Sequence, residues 1–131
     1  MEERLKLTKA STAAKVDATL YRSIIGSLRY LVHMRPDIAF AVGYVSRFIE
    51  DPREDHGAIV KRLLRYVKGT VDQGIIFPKT GGSRLQLIVF SDADMAGDID
   101  GRWSTSNVLV FLGSAPISWL SLKQKVVALS T

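Results

Sequence analysis

Leu85-Gln86-Leu87-Ile88-Val89-Phe90 decides the fold. These six residues are β-branched, aromatic or aliphatic around a single Gln. The turn formers Pro78-Lys79-Thr80-Gly81-Gly82 stand before them and a polar run, Ser91 to Asp100, follows. That is the grammar of a strand. Downstream, Val108 to Leu112 predicts a second strand, closed by Gly113-Ser114-Ala115-Pro116. A third begins at Ile117-Ser118-Trp119 and fades into Lys123-Gln124-Lys125. Upstream, Gly74-Ile75-Ile76-Phe77 is a short strand candidate.

Before Gly69 the periodicity is helical. Leu20, Ile24, Leu28 and Leu31, flanked by Tyr21, Ile25 and Val32, form one wide apolar stripe. Arg35-Pro36-Asp37 breaks the chain, because proline disfavours helix in the residue before it and suits the first turn of a new one. Ile38, Val42, Val45, Phe48 and Ile49 form the second stripe. Asp51-Pro52-Arg53-Glu54 reads as a helix start, with Asp51 as cap and Glu54 closing a capping box. The third helix would bury Ile59, Val60, Leu63, Leu64 and Val67, and Gly69 would end it in a left-handed conformation. Helices followed by an antiparallel meander make an α+β chain. Its expected parts are a flexible lead-in over 1–17, a helical segment of about three helices over 18–70 and a three-stranded sheet segment over 71–131, all in one compact unit.

At 131 residues the chain supports one domain, and 47% apolar with 24% charged residues is globular composition. With no cysteine, disulfides, thiolate zinc sites and cysteine nucleophiles are excluded. No apolar run reaches the roughly 20 residues of a membrane span, and Met1-Glu2-Glu3-Arg4 opens no secretory leader. No membrane association and an intracellular location are therefore expected. The net charge of +5 lies wholly in the first 70 residues, which permits a nucleic-acid or acidic partner. Lys61, Arg62, Arg65 and Lys68 are the nucleic-acid-binding candidates. Spread around the third helix rather than along one stripe, they read first as a solvated face and second as a phosphate-binding surface. His33 and His56 have no partner at metal or triad spacing and read as structural.

The densest polar cluster is Asp92, Asp94, Asp98 and Asp100, four carboxylates in nine residues. The Asp-x-Asp spacing with Gly97 at the sixth position partly mimics a calcium loop. Trp103 occupies the place of its bidentate Glu. The alternative is a solvated acidic turn.

Phe90-Ser91-Asp92-Ala93-Asp94-Met95-Ala96-Gly97-Asp98 resembles the first-strand motif of the ribonuclease H region in copia-type retrotransposon Pol polyproteins. Three further matches occur in the family's order. Tyr21-Arg22-Ser23-Ile24-Ile25-Gly26-Ser27-Leu28 with Arg35-Pro36-Asp37-Ile38 resembles the end of the reverse transcriptase. Lys61 to Thr70 resembles the following connection helix. Ile117-Ser118-Trp119 with Lys123-Gln124 and Val127-Ala128-Leu129-Ser130 resembles the third strand and the approach to the next helix. Gly57, Met34, Trp103 and Asn107 depart from the family pattern.

The resemblance implies an incomplete ribonuclease H-like sheet in which Asp92 matches the first metal-binding carboxylate. Cleavage by two metals needs several carboxylates around both ions. The family's second ligand, a Glu after the third strand, is not reached before Thr131. The chain is therefore expected to be a non-catalytic, captured piece of such a polyprotein with no required cofactor, Mg²⁺ binding only at a vestigial Asp92. In the family's complete sheet the first strand pairs on both sides. Here Leu85, Leu87, Ile88, Val89 and Phe90 would form an open edge for strand addition by a second copy or another protein. Residual binding of duplex or RNA–DNA hybrid is the alternative function, and an active ribonuclease H the third.

Overall fold

Asp17 opens the first helix. In the computed structural model, which describes residues 6–79, 84–94 and 96–126, its carboxylate accepts the N–H groups of Thr19 and Leu20 at 2.8 and 3.2 Å. Those donors have no partner inside a helix, so the cap stabilises the turn. Helix α1 spans Ala18–Val32 and buries Tyr21, Ile25 and Leu28. The apolar stripe is thus centred one residue later than its first member, and Leu20 faces water.

The second expected helix divides into a 3-10 turn at Pro36–Ile38, helix α2 at Ala39–Val45, and a 3-10 turn at Ser46–Phe48. Ser46 Oγ donates to the Val42 carbonyl at 2.6 Å, competing for an acceptor at the helix end. Ile38, Val42, Val45 and Phe48 are buried as their spacing predicts.

Helix α3 spans Glu54–Gly69 and buries His56, Ile59, Val60 and Leu63, while Leu64 lies at the exposed rim. Its start differs from the expected Asp51–Glu54 box. His56 Nδ1 accepts the Arg53 N–H at 3.1 Å, and Asp51 pairs with Arg53 at 2.6 Å and Lys15 at 3.3 Å. The imidazole is 0% exposed, stacks on Phe48 at 4.0 Å, and its Nε2 meets the Thr8 carbonyl at 3.0 Å. At the other end Gly69 is not left-handed. The Thr70 hydroxyl caps instead, donating to the Tyr66 carbonyl at 2.8 Å.

The expected flexible lead-in is tied down from Leu7 onward. Leu7 is buried and its N–H donates to the Tyr44 hydroxyl at 2.9 Å. The Val16 N–H donates to Pro52 O at 3.2 Å, and the Glu54 N–H to Ala14 O at 2.9 Å. These bonds give the segment backbone partners that its composition does not reveal.

Strands β1 (Leu87–Ala93), β2 (Thr105–Leu112) and β3 (Ala115–Lys123) form an antiparallel sheet in that order. Gly113 turns the β2–β3 hairpin at φ 64°, a conformation that favours glycine. Residues 74–77 lie outside the sheet, with Ile76 and Phe77 exposed and no strand among the described residues pairing with them. The helices support the sheet mainly beneath β3. Trp119 Nε1 donates to the Val32 carbonyl at 2.7 Å, and α2 packs beneath β3. Strand β1 overhangs, leaving a cleft of about 620 Å³ lined by Phe40, Phe90, Leu109, Phe111 and Trp119. Among the described residues, three α-helices followed by a three-stranded antiparallel sheet make the α+β class plain.

Candidate functional site

The acidic cluster does not converge. Asp98, 6% exposed, is held by Lys123 Nζ at 2.6 Å and Arg47 Nη1 at 3.5 Å, and it accepts the Gly101 N–H at 3.1 Å. Arg47 also donates to Thr105 Oγ1 at 2.8 Å. Asp94 accepts the Thr105 N–H, and a Cβ on Gly97 would overlap its carboxylate. Asp100 reaches back to the lead-in, accepting from Thr8 Oγ1 and from the Lys9 N–H at 2.8 Å. Three of the four carboxylates therefore tie the loop to the body.

Asp92 is the exception. It is exposed near the end of β1, opposite Asn107, and its carboxylate makes no hydrogen bond or ion pair among the described residues. Asn107 Oδ1 is occupied by the Ser121 hydroxyl at 2.7 Å. Among the described residues, no group of three His, Cys, Asp or Glu side chains is placed to hold a metal ion. The divalent ions that the ribonuclease H resemblance implies would meet one free carboxylate, and a two-ion clamp needs several. The residues described do not fit that centre, nor the calcium loop.

A second polar cluster was not anticipated from the sequence. Arg35, 8% exposed, forks onto Asp37 with Nε–Oδ1 at 2.9 Å and Nη2–Oδ2 at 2.7 Å. It also donates to the Thr70 carbonyl at 3.1 Å and hydroxyl at 2.7 Å. The Tyr66 hydroxyl donates to Asp37 Oδ2 at 2.8 Å. The Arg35 hydrogen bond holds the Asp37 carboxyl below the usual carboxylate range, and that from Tyr66 acts in the same direction. The Arg-Pro-Asp motif thus locks the end of α3 to the α1–α2 junction. The bidentate geometry makes it structural. By sequence Arg35-Pro36-Asp37 reads as a helix break; Tyr66 and Thr70 lie far along the chain, beyond local spacing.

The basic candidates all lie exposed on α3. They wrap less evenly than expected: Lys61, Arg65 and Lys68 fall at i, i+4 and i+7 and share one face. Arg62 lies in a groove with Tyr66 and Phe40.

The candidate edge is exposed along its whole length. Every residue from Leu87 to Ala93 is exposed, with Leu87 at 60% and Phe90 at 59%. The other side of β1 pairs with β2 from Leu87↔Leu112 to Ala93↔Ser106. The Gly113 N–H donates to Gln86 O at 2.8 Å, and the Asp94 N–H to Thr105 O at 3.1 Å. Even-numbered residues therefore turn their backbone groups toward β2. Odd-numbered Leu87, Val89, Ser91 and Ala93 turn theirs to the open edge.

Fold and site together define an α+β unit in which helices carry an antiparallel meander led by a strand whose outer edge is unpaired among the described residues. No family model matches the chain, and no solved structure matches it. It is 48% identical over 126 residues, 96% of its length, to the Retrovirus-related Pol polyprotein from transposon RE2 of Arabidopsis thaliana. It is 51% identical over 112 residues to the Retrovirus-related Pol polyprotein from transposon TNT 1-94 of Nicotiana tabacum. The chain spans 8% of each of these relatives. It is also 45% identical over 112 residues to the Secreted RxLR effector protein 161 of Plasmopara viticola, 78% of which it covers. Over most of its length the chain is homologous to a segment of copia-type retrotransposon Pol polyproteins. No helix among the described residues is long and apolar enough to cross a membrane.

Proposed function

We propose that this chain is a non-catalytic, retrotransposon-derived module that acts through protein–protein contact, adding a strand from another chain to the open edge of β1. In this reading its sheet corresponds to the first three strands of a ribonuclease H-like fold. The observation that carries it is the exposure of all of β1, from Leu87 to Ala93, on a strand with one free ladder. Unpaired backbone groups beside apolar side chains are a template for strand addition. The dispersal of Asp94, Asp98 and Asp100 onto separate partners supports the non-catalytic part.

Two measurements test it. The purified chain with Mg²⁺ or Mn²⁺ leaves an RNA–DNA hybrid uncut; cleavage that disappears on Asp92→Asn restores the nuclease. Association seen by light scattering is lost on Val89→Pro; association unaffected by that change places the contact elsewhere.

A second reading rests on Lys61, Arg65 and Lys68, which share an exposed face and make no ion pair among the described residues. Binding of an RNA–DNA hybrid through that face would weaken steeply with salt. A double Lys61→Gln, Arg65→Gln change that leaves hybrid affinity unaltered removes this reading.

A further inference from the structure

We infer that the strand added to β1 is β1 of a second copy, antiparallel, in the register whose two-fold axis passes between the two Ile88 residues. This rests on the open-edge reading above and specifies its occupant.

Backbone direction limits the register. Only odd-numbered residues offer N–H and C=O groups to the open side, so odd must meet odd across an antiparallel join. With the axis at Ile88, Leu87 pairs with Val89 of the second copy, and Leu85 with Ser91. Charge then separates the permitted registers. Asp92 carries no partner among the described residues, and neither does Arg84, which lies on the same strand approach and is exposed. The Ile88 axis sets Asp92 of each copy opposite Arg84 of the other, giving two equivalent ion pairs on one face. An axis at Val89 would instead put Asp92 opposite Gln86, and Asp94 opposite Arg84. Asp94 already accepts the Thr105 N–H. An axis at Leu87 would carry Asp92 past Arg84 altogether.

The second copy has room. Because α2 packs beneath β3 and a cleft separates Phe40 from Phe90, the helix layer stands away from the join. The product is one six-stranded sheet in the order β3-β2-β1-β1-β2-β3, an isologous two-fold contact. Cross-strand apolar neighbours and opposite charges stabilise such pairing.

The absence of cysteine makes the register directly readable. At the Ile88 axis the two Ile88 residues form a non-hydrogen-bonded pair with Cα atoms about 4.5 Å apart. That is within disulfide range. Under mild oxidation the Ile88→Cys chain is expected to become a disulfide-linked dimer. The Val89→Cys chain stays largely unlinked, since that residue meets its own copy only diagonally. Asp92→Arg and Arg84→Asp, each alone, should weaken dimerisation in light scattering by about tenfold. The double variant, with the charges exchanged, should recover it.

Linkage through Val89→Cys but not Ile88→Cys overturns the register and leaves the open edge standing. Dimerisation insensitive to Val89→Pro overturns the edge reading itself. A chain monomeric across micromolar concentrations overturns the second copy as occupant.

Discussion

Asp98 and Asp92 stand six residues apart in one acidic run and have opposite roles. Asp98 is buried between Arg47 and Lys123, so removing its charge strands a guanidinium that is only 12% exposed. Asp98→Asn should cost about 3 kcal/mol in denaturant unfolding. Asp92→Asn should stay within about 0.5 kcal/mol of the parent, because the exposed carboxylate has no partner among the described residues to lose. Equal costs for the two would contradict this division. Asp37 adds a pH dependence. Its folded pKa lies below the ordinary value, so its contribution is fully present above the unfolded pKa, near 4. The contribution fades as pH falls through the folded value. Asp37→Asn should lower stability at neutral pH and flatten its acid limb below about pH 4. The sequence named Asp92 as the residue apart and Asp98 as one of a cluster. The pairing of Asp98 with residues 51 positions upstream and 25 downstream is a property of the fold, which local spacing cannot carry.

At the scale of elements, period and chemistry located the three helices and three strands, because each has a sustained apolar repeat. The misplaced features were those decided by tertiary partners. Residues 74–77 have strand composition but pair with no strand among the described residues; Gly74, Ile75 and Phe77 line a groove with Leu31, Val67 and Trp119 instead. The second helix shortens where Ser46 takes a carbonyl, and His56, a residue not favoured as a cap, closes the start of α3. The alternation along β1 yields a contrast of its own. Val89 turns its N–H to the open edge, so Val89→Pro should keep the monomer folded while abolishing association. Phe90 turns its N–H to β2. Phe90→Pro should therefore remove a ladder bond and lower the unfolding midpoint markedly. Comparable circular dichroism and melting for the two variants would mean that the strand is assigned to the wrong side.

The whole molecule is asymmetric: a well-buried helical layer holds one end of a sheet whose other end is bare. On the outer sheet face Leu87, Val89, Leu120 and Leu122 are each at least 50% exposed, so hydrophobic surface continues from the edge across the sheet. The class and the candidate edge were legible from the order of elements and from the resemblance of the motifs. The overhang was not, because it depends on Trp119 and α2 anchoring β3 rather than β1. Residue-resolved amide exchange, followed with protein concentration, tests the open edge most directly. The amides of Ile88, Phe90 and Asp92 should be protected at every concentration, through β2. Those of Leu87, Val89 and Ser91 should exchange freely in dilute protein and become protected as light scattering reports association. Protection of the odd-numbered amides in the isolated monomer, or their free exchange in the associated state, would contradict the account.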